Sequence, residues 1–425
     1  MIAFLLFLLF LAPTVQYRVE LGIFSFAIME PTILLVSSAL FIYLLQKKRL
    51  IMPKNLLLLL LAIMVCWAFM VRPWAHNWQN GLSDVRDWVI PFVSFAILFS
   101  SVRSGWRRWI GLLLAIAIGN GFVGIYQHFA DTFRPFITPL AAYKTGFSLS
   151  PESWSLVTAS YAVGFFSHPN GFAMYLLFSL LCAIAWPVKG HHRISKRLLK
   201  TVSVLTLFVV LFWTYAKASL LVMVPCLIGF LIVRLVKNWE QFLLLFGGTL
   251  IVWGAVAWFA FHWLPPAYLN TLWWRFQLWR TVLETIADHP VILLIGNGME
   301  EFGARSIYPQ PHNLYLYLLL AYGLPGLGII LTIFSYLWKC GHSAFQYRLF
   351  HREPLLAALW MGLISFFIVG LVESNLMGIE ARMIFLIYWA CFLGLWREVA
   401  GESKWRIAAD AQRAIARPVH IRTLP

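Results

Sequence analysis

Apolar runs of membrane length recur along the chain between short polar stretches, and this alternation predicts about twelve spanning helices. They fall at about 2–16, 29–46, 54–71, 88–101, 109–130, 165–187, 199–215, 218–233, 241–263, 312–338, 354–372 and 381–396. The first run has neither a basic segment before it nor a small-residue cleavage site, so it is expected to remain as a span. The longest polar connection, 264–311, separates the ninth and tenth spans. Within it the spacing predicts an amphipathic helix from about Tyr268 to Asp288, with Leu269, Leu272, Trp273, Phe276, Trp279, Leu283 and Ile286 on one face. Such a helix is expected to lie on the membrane surface or cap the bundle, with Trp273, Trp274 and Trp279 at headgroup level. A flexible Gly296-Asn-Gly298 follows it.

Composition sharpens the class. The chain is 61% hydrophobic and 12% charged, where an average soluble domain is about 25% charged. An all-α polytopic membrane protein is expected, with residues 1–400 as one transmembrane domain and 401–425 as a basic tail. The five cysteines are scattered without a CxxC pair, which points to reduced thiols and not to a disulfide framework.

Charge supplies the orientation. A net charge of +16 raises nucleic acid as a partner. Yet 23 of the 33 Lys and Arg lie in alternate loops and the tail, while 12 of the 17 acids lie in the other loops. That is the positive-inside pattern. It argues against nucleic acid and makes membrane lipids the partners of the basic residues. Both termini are then cytoplasmic, the segments 72–87, 131–164 and 264–311 are extracytoplasmic, and His312 faces outward.

Cations that break this pattern are few: Arg72, Arg86, Lys144, Lys217, Arg275, Arg280, Arg305 and Arg382, with Arg18 and Arg134 less well placed at span ends. Guanidinium groups gathered on one side of a membrane suit an anionic substrate, because their fork matches phosphate oxygens. Pairing with local acids is the plainer alternative, since Arg86 lies between Asp84 and Asp87 and Arg280 stands one turn before Glu284. Lys217 is a lone cation between two apolar runs, which is costly unless it ends at an aqueous cavity. His312, followed by Asn313 as an expected substrate-binding residue, opens the tenth span after the stiff Tyr308-Pro-Gln-Pro loop. An imidazole there suits a general-base or positioning role, or equally a helix cap. His168-Pro-Asn170-Gly breaks the sixth span, either as a bend or as the lining of a cavity. Asp84 and Asp87 lack further ligands at metal-binding spacing, and no phosphate loop, nucleophile elbow or dinucleotide glycine pattern is present. No metal or cofactor is therefore expected.

His312-Asn313 followed by Leu316, Leu319, Gly323 and Gly326, preceded by Arg275-Phe-Gln-Leu-Trp-Arg280, His289-Pro290 and Gly296-Asn-Gly298, resembles the O-antigen ligase and polymerase superfamily of bacterial surface-polysaccharide enzymes. The break at His168-Pro-Asn170 and the twelve-span layout also look like that family. The resemblance implies a metal-independent, inverting glycosyltransferase of the bacterial inner membrane with its site facing the periplasm. Its donor would be a glycan on undecaprenyl diphosphate, and its acceptor a lipid A-core hydroxyl or, in a polymerase, another lipid-linked repeat. Other polysaccharide-assembly proteins would be its partners. His312 maps onto the family histidine that activates or positions the acceptor, and Arg280, with Arg275 and Arg305, onto the diphosphate-binding arginines. Where the family has an arginine between the seventh and eighth spans, this chain has Lys217, which keeps the charge and loses the fork. A transporter is the competing class, expected to show internal repeats and midplane charges; the sequence shows no convincing repeat, and its midplanes are nearly free of charge.

Overall fold

The computed structural model describes residues 2–11, 18–21, 24–27, 29–46, 56–71, 78–102, 104–129, 162, 164, 166, 169–188, 193–214, 216–263, 266–306, 310–374 and 379–415. A helix forms in each apolar run that the hydropathy pattern marks. In chain order these are α1 (Ile2–Leu11), α2 (Met29–Gln46), α3 (Leu56–Val71), α4 (Trp78–Ser101), α5 (Trp106–Phe129), α6 (Pro169–Ala185), α7 (Arg193–Trp213), α8 (Lys217–Leu235) and α9 (Trp239–Trp263). The long connection then folds into α10 (Pro266–Asp288) and two short helices, α11 (Ile292–Ile295) and α12 (Met299–Arg305). The chain continues through α13 (Leu314–Gln346), the single turn α14 (Leu349–Arg352), α15 (Pro354–Val369) and α16 (Ile379–Ile415). One feature departs from the all-helical expectation. An antiparallel hairpin of β1 (Arg18–Leu21) and β2 (Phe24–Ala27) pairs Arg18 with Ala27 and Leu21 with Phe24, in the connection between the first two apolar runs.

Five of the described helices are long and apolar enough to cross a membrane: Trp106–Phe129, Lys217–Leu235, Trp239–Phe259, Leu314–Gln346 and Ala381–Gly401. Shorter apolar helices at Thr32–Tyr43, Leu56–Val71, Pro169–Ala185 and Pro354–Val369 accompany them. The molecule thus has the make-up of a multi-pass helical membrane protein. Burial follows each helix's place in the bundle. Every residue of α15 but Pro354 and Ile368 is buried, which is how a helix apolar all round behaves at the centre of a bundle. Toward the rim, α9 exposes Leu244, Ile251, Val252, Trp258 and Phe259, an apolar surface that suits lipid. α16 runs without interruption from the last predicted span into the basic tail.

Two joints brace this bundle. At the end where α5 and α15 begin, the Arg107 guanidinium forms a salt bridge with the buried Glu353 just before α15, Nε donating to Oε2 at 3.0 Å. At the other end, α13 is broken at Gly323, whose φ of 65° and ψ of −168° leave the helix. Pro325 lacks the N–H that would otherwise reach the Ala321 carbonyl. The freed carbonyls find other donors: Gly298 N–H bonds Leu320 O at 2.8 Å, Asn297 N–H reaches Ala321 O at 3.4 Å, and Trp67 Nε1–H bonds Tyr322 O at 2.8 Å. The Gly296-Asn-Gly298 stretch is accordingly a packed joint and not a flexible link. A Cβ on Gly296 would stand 2.5 Å from the Ala321 carbonyl, so the two backbones touch only because that residue is glycine.

Candidate active site

The N-terminus of α13 is built by Asn313. Its Oδ1 accepts from the backbone N–H groups of Tyr315 and Leu316, each at 3.0 Å, which satisfies two of the donors that every helix start leaves open. The rest of Asn313 and its neighbours is tied to the turn after α15. Asn313 Nδ2 donates to Leu371 O at 2.7 Å, Asn313 N–H to Ser374 Oγ at 3.1 Å, and Leu314 N–H to Gly370 O at 2.7 Å. Tyr315 Oη adds a bond to Phe367 O at 2.9 Å. The loop before α13 and the turn 370–374 are therefore one rigid unit.

His312 sits on that unit with a left-handed backbone, φ 48°, which costs a non-glycine residue about 1–3 kcal/mol. Its Nδ1 lies 3.1 Å from Glu373 Oε2, and the other carboxylate oxygen, Oε1, accepts from Arg275 Nη2 at 2.5 Å. Burial decides how these contacts count: the Glu373 side chain is 9% exposed and that of Arg275 13%. A carboxylate so deeply placed depends on the groups that bond it, and losing the Arg275 guanidinium would be costly. On the far side of the loop, Trp279 Nε1–H donates to Pro311 O at 3.1 Å, so α10 fixes the residue just before His312.

α10 itself packs through Leu278, Val282 and Ile286 onto Ile292, Phe302 and Leu320. This stripe overlaps the predicted one in part: Ile286 belongs to it and Trp279 packs against it, whereas Phe276 and Leu283 are exposed. Leu269, Leu272 and Trp273 of the predicted face have side chains outside the described residues.

Of the residues singled out by the sequence, His312 and Arg275 come together at Glu373, while the Asn313 amide is taken up by the helix cap and by Leu371 O. Arg280 and Arg305 belong to the same segment but point elsewhere. Arg280 Nε bonds Glu284 Oε1 at 2.7 Å with its side chain 81% exposed, and Arg305 Nη1 bonds Asp288 Oδ2 at 2.5 Å, also at the surface. Arg86 pairs with Asp87 Oδ1 at 3.0 Å through Nη2. Lys217 is exposed at the first position of α8, and Asn170 is half-buried in the first turn of α6. His168 lies outside the described residues. Arg382 is fully buried, stacked over the Trp88 ring at 4.2 Å with the Tyr317 hydroxyl 3.5 Å away. Among the described residues no three His, Cys, Asp or Glu side chains gather as a metal site.

Glu373 is the residue that sequence reasoning passed over. It lies 61 positions from His312, so no local spacing links the two. The available signal was the one that singled out His312, an ionisable group at the edge of an apolar run. No family model matches the chain, and no curated protein matches it.

Proposed function

We propose that this protein is a glycosyltransferase of the O-antigen ligase type, with twelve spans, both termini in the cytoplasm and its site on the periplasmic side of a bacterial inner membrane. The observation that carries the reading is the buried Glu373 carboxylate holding Arg275 and the 25%-exposed His312 together at the start of α13. With Nδ1 engaged by Glu373, the imidazole would present Nε2 to an acceptor hydroxyl, and the carboxylate would favour the imidazolium formed when the proton arrives. The acceptor oxygen would bond the anomeric carbon while the bond from that carbon to the lipid diphosphate breaks. The proton would pass to His312 and the negative charge leave with undecaprenyl diphosphate, inverting the anomeric centre.

Arg280 and Arg305 would receive that diphosphate. Their present partners, Glu284 and Asp288, are surface acids, and exposed pairs of this kind hold together by only about 0–1 kcal/mol, so a diphosphate can replace them. The chemistry needs no nucleotide because the energy resides in the leaving group. Reconstituted protein supplied with a lipid-linked glycan and either a lipid A-core acceptor or a second lipid-linked repeat tests the assignment. Transfer to lipid A-core supports the ligase; a lengthening ladder on the carrier would replace it with a polymerase. Movement of the lipid-linked glycan across the bilayer without a new glycosidic bond would make the protein a transporter.

A further inference from the structure

Three of the membrane-length helices meet at one corner: α8 ends at Leu235, α9 begins at Trp239 and α13 ends at Gln346. They are knitted there. Arg234 Nη1 at the end of α8 donates to the carbonyls of Phe350 and His351 in α14, the latter at 2.8 Å. Trp239 packs edge-on against Trp338, His342 and Phe345 of α13. A corner where three apolar helices stop together marks a level at which lipid gives way to water.

The charges on this corner are mostly of one sign. Arg234, Lys237, Arg348 and Arg352 stand on it, with Glu240 exposed in the first turn of α9 and Glu353 buried and occupied by Arg107. Among the described residues Lys237 and Arg348 form no ion pair. Arg348 has a left-handed backbone, φ 53°, where the chain turns from α13 into α14. His351 registers the positive field: burial first, then the charges of Arg234, Arg348 and Lys237, hold its imidazole below its usual pKa against a hydrogen bond with the Val236 backbone. Its Nδ1 is buried without a hydrogen-bond partner. Beside these cations the surface is apolar, with Leu235 77% and Tyr347 63% exposed.

We propose that this corner binds the phosphate of an anionic membrane lipid, with Lys237 and Arg348 on the phosphate oxygens and Leu235 and Tyr347 along the acyl chains. A phosphate suits two cations that lack counter-ions. The adjoining apolar surface at the end of three membrane-length helices favours a lipid over free phosphate. The site is independent of the transfer reaction proposed above.

Full-length protein in nanodiscs of equal phosphatidylcholine and phosphatidylglycerol, released into native mass spectrometry, reads the lipid retained. Wild type is expected to keep phosphatidylglycerol in preference. The Lys237→Ser/Arg348→Ser variant should lose that preference by about thirtyfold, and the charge-keeping Lys237→Arg/Arg348→Lys variant should restore it. Equal retention of both lipids by wild type, or undiminished preference in the serine variant, would overturn the proposal. If inorganic phosphate alone raises the melting temperature of the detergent-solubilised protein as much as phosphatidylglycerol does, the ligand is free phosphate and the lipid assignment falls.

Discussion

Glu373 and His312 are 61 residues apart in the chain and 3.1 Å apart in the fold, joined through Oε2 and Nδ1. The same carboxylate takes Arg275 on its other oxygen, so three segments, α10, the start of α13 and the turn after α15, share one charge. Glu373 thus bridges His312 and Arg275, and His312 reaches it from a left-handed backbone.

Replacing His312 separates chemistry from strain. Both His312→Ala and His312→Gly should abolish glycan transfer in the reconstituted assay while the protein still inserts and folds. The glycine variant should be the more stable of the two by about 1 kcal/mol, because φ 48° costs glycine nothing. Thermal unfolding in detergent reads the difference; transfer retained by either variant would remove His312 from the reaction.

Glu373→Gln keeps the shape of the side chain and withdraws its charge from a nearly buried Arg275. Breaking a buried pair from one side is expected to cost about 3 kcal/mol. The Arg275→Met/Glu373→Leu variant, which removes both charges, should recover most of that stability and none of the transfer. If the double variant is no more stable than Glu373→Gln, the pair is not the source of the loss.

Arg280→Lys probes the leaving-group side. The arginine is 81% exposed and bonded only to the exposed Glu284 among the described residues, so stability should move by less than about 0.5 kcal/mol. Turnover should nonetheless fall, since an ammonium offers no fork to two phosphate oxygens. Unchanged turnover would mark Arg280 as a surface residue alone.

Gly296→Ala tests the joint at the α13 break. The added methyl would meet the Ala321 carbonyl at 2.5 Å, and φ 80° disfavours any side chain. A marked loss of thermal stability is expected, whereas Gly303→Ala, whose Cβ would meet open space, should behave as wild type. Equal stability of the two variants would show that the joint yields freely.

The helices were legible because long apolar runs have few alternatives in a chain that is 61% hydrophobic. The cap falls on Asn313, one residue after the His312 that the sequence offered as a capping residue. Glu373 was not legible, because its partner is brought in by packing between α13 and α15, which no local pattern encodes. The inward face of α10 was legible only in part for a related reason. Phe276 and Leu283 share its apolar character, and only the position of Ile292, Phe302 and Leu320 selects Leu278 and Val282 in their place, with Ile286 and Trp279 of the expected face kept. Glycines 296 and 298 read as a hinge from composition, yet the neighbouring helix break turns them into a seat.

That seat bears on how the protein can be recombined. Its bonds from 297 and 298 to 320 and 321 run between main-chain atoms, so they depend on the path of the backbone and on the glycine at 298, where a Cβ would stand 2.7 Å from Ile292 Cδ1. A chimera that imports residues 266–306 from another protein would have to import the Gly323-Leu-Pro325 break along with them. Without it, an unbroken α13 would keep its carbonyls for itself and leave the incoming segment nowhere to dock.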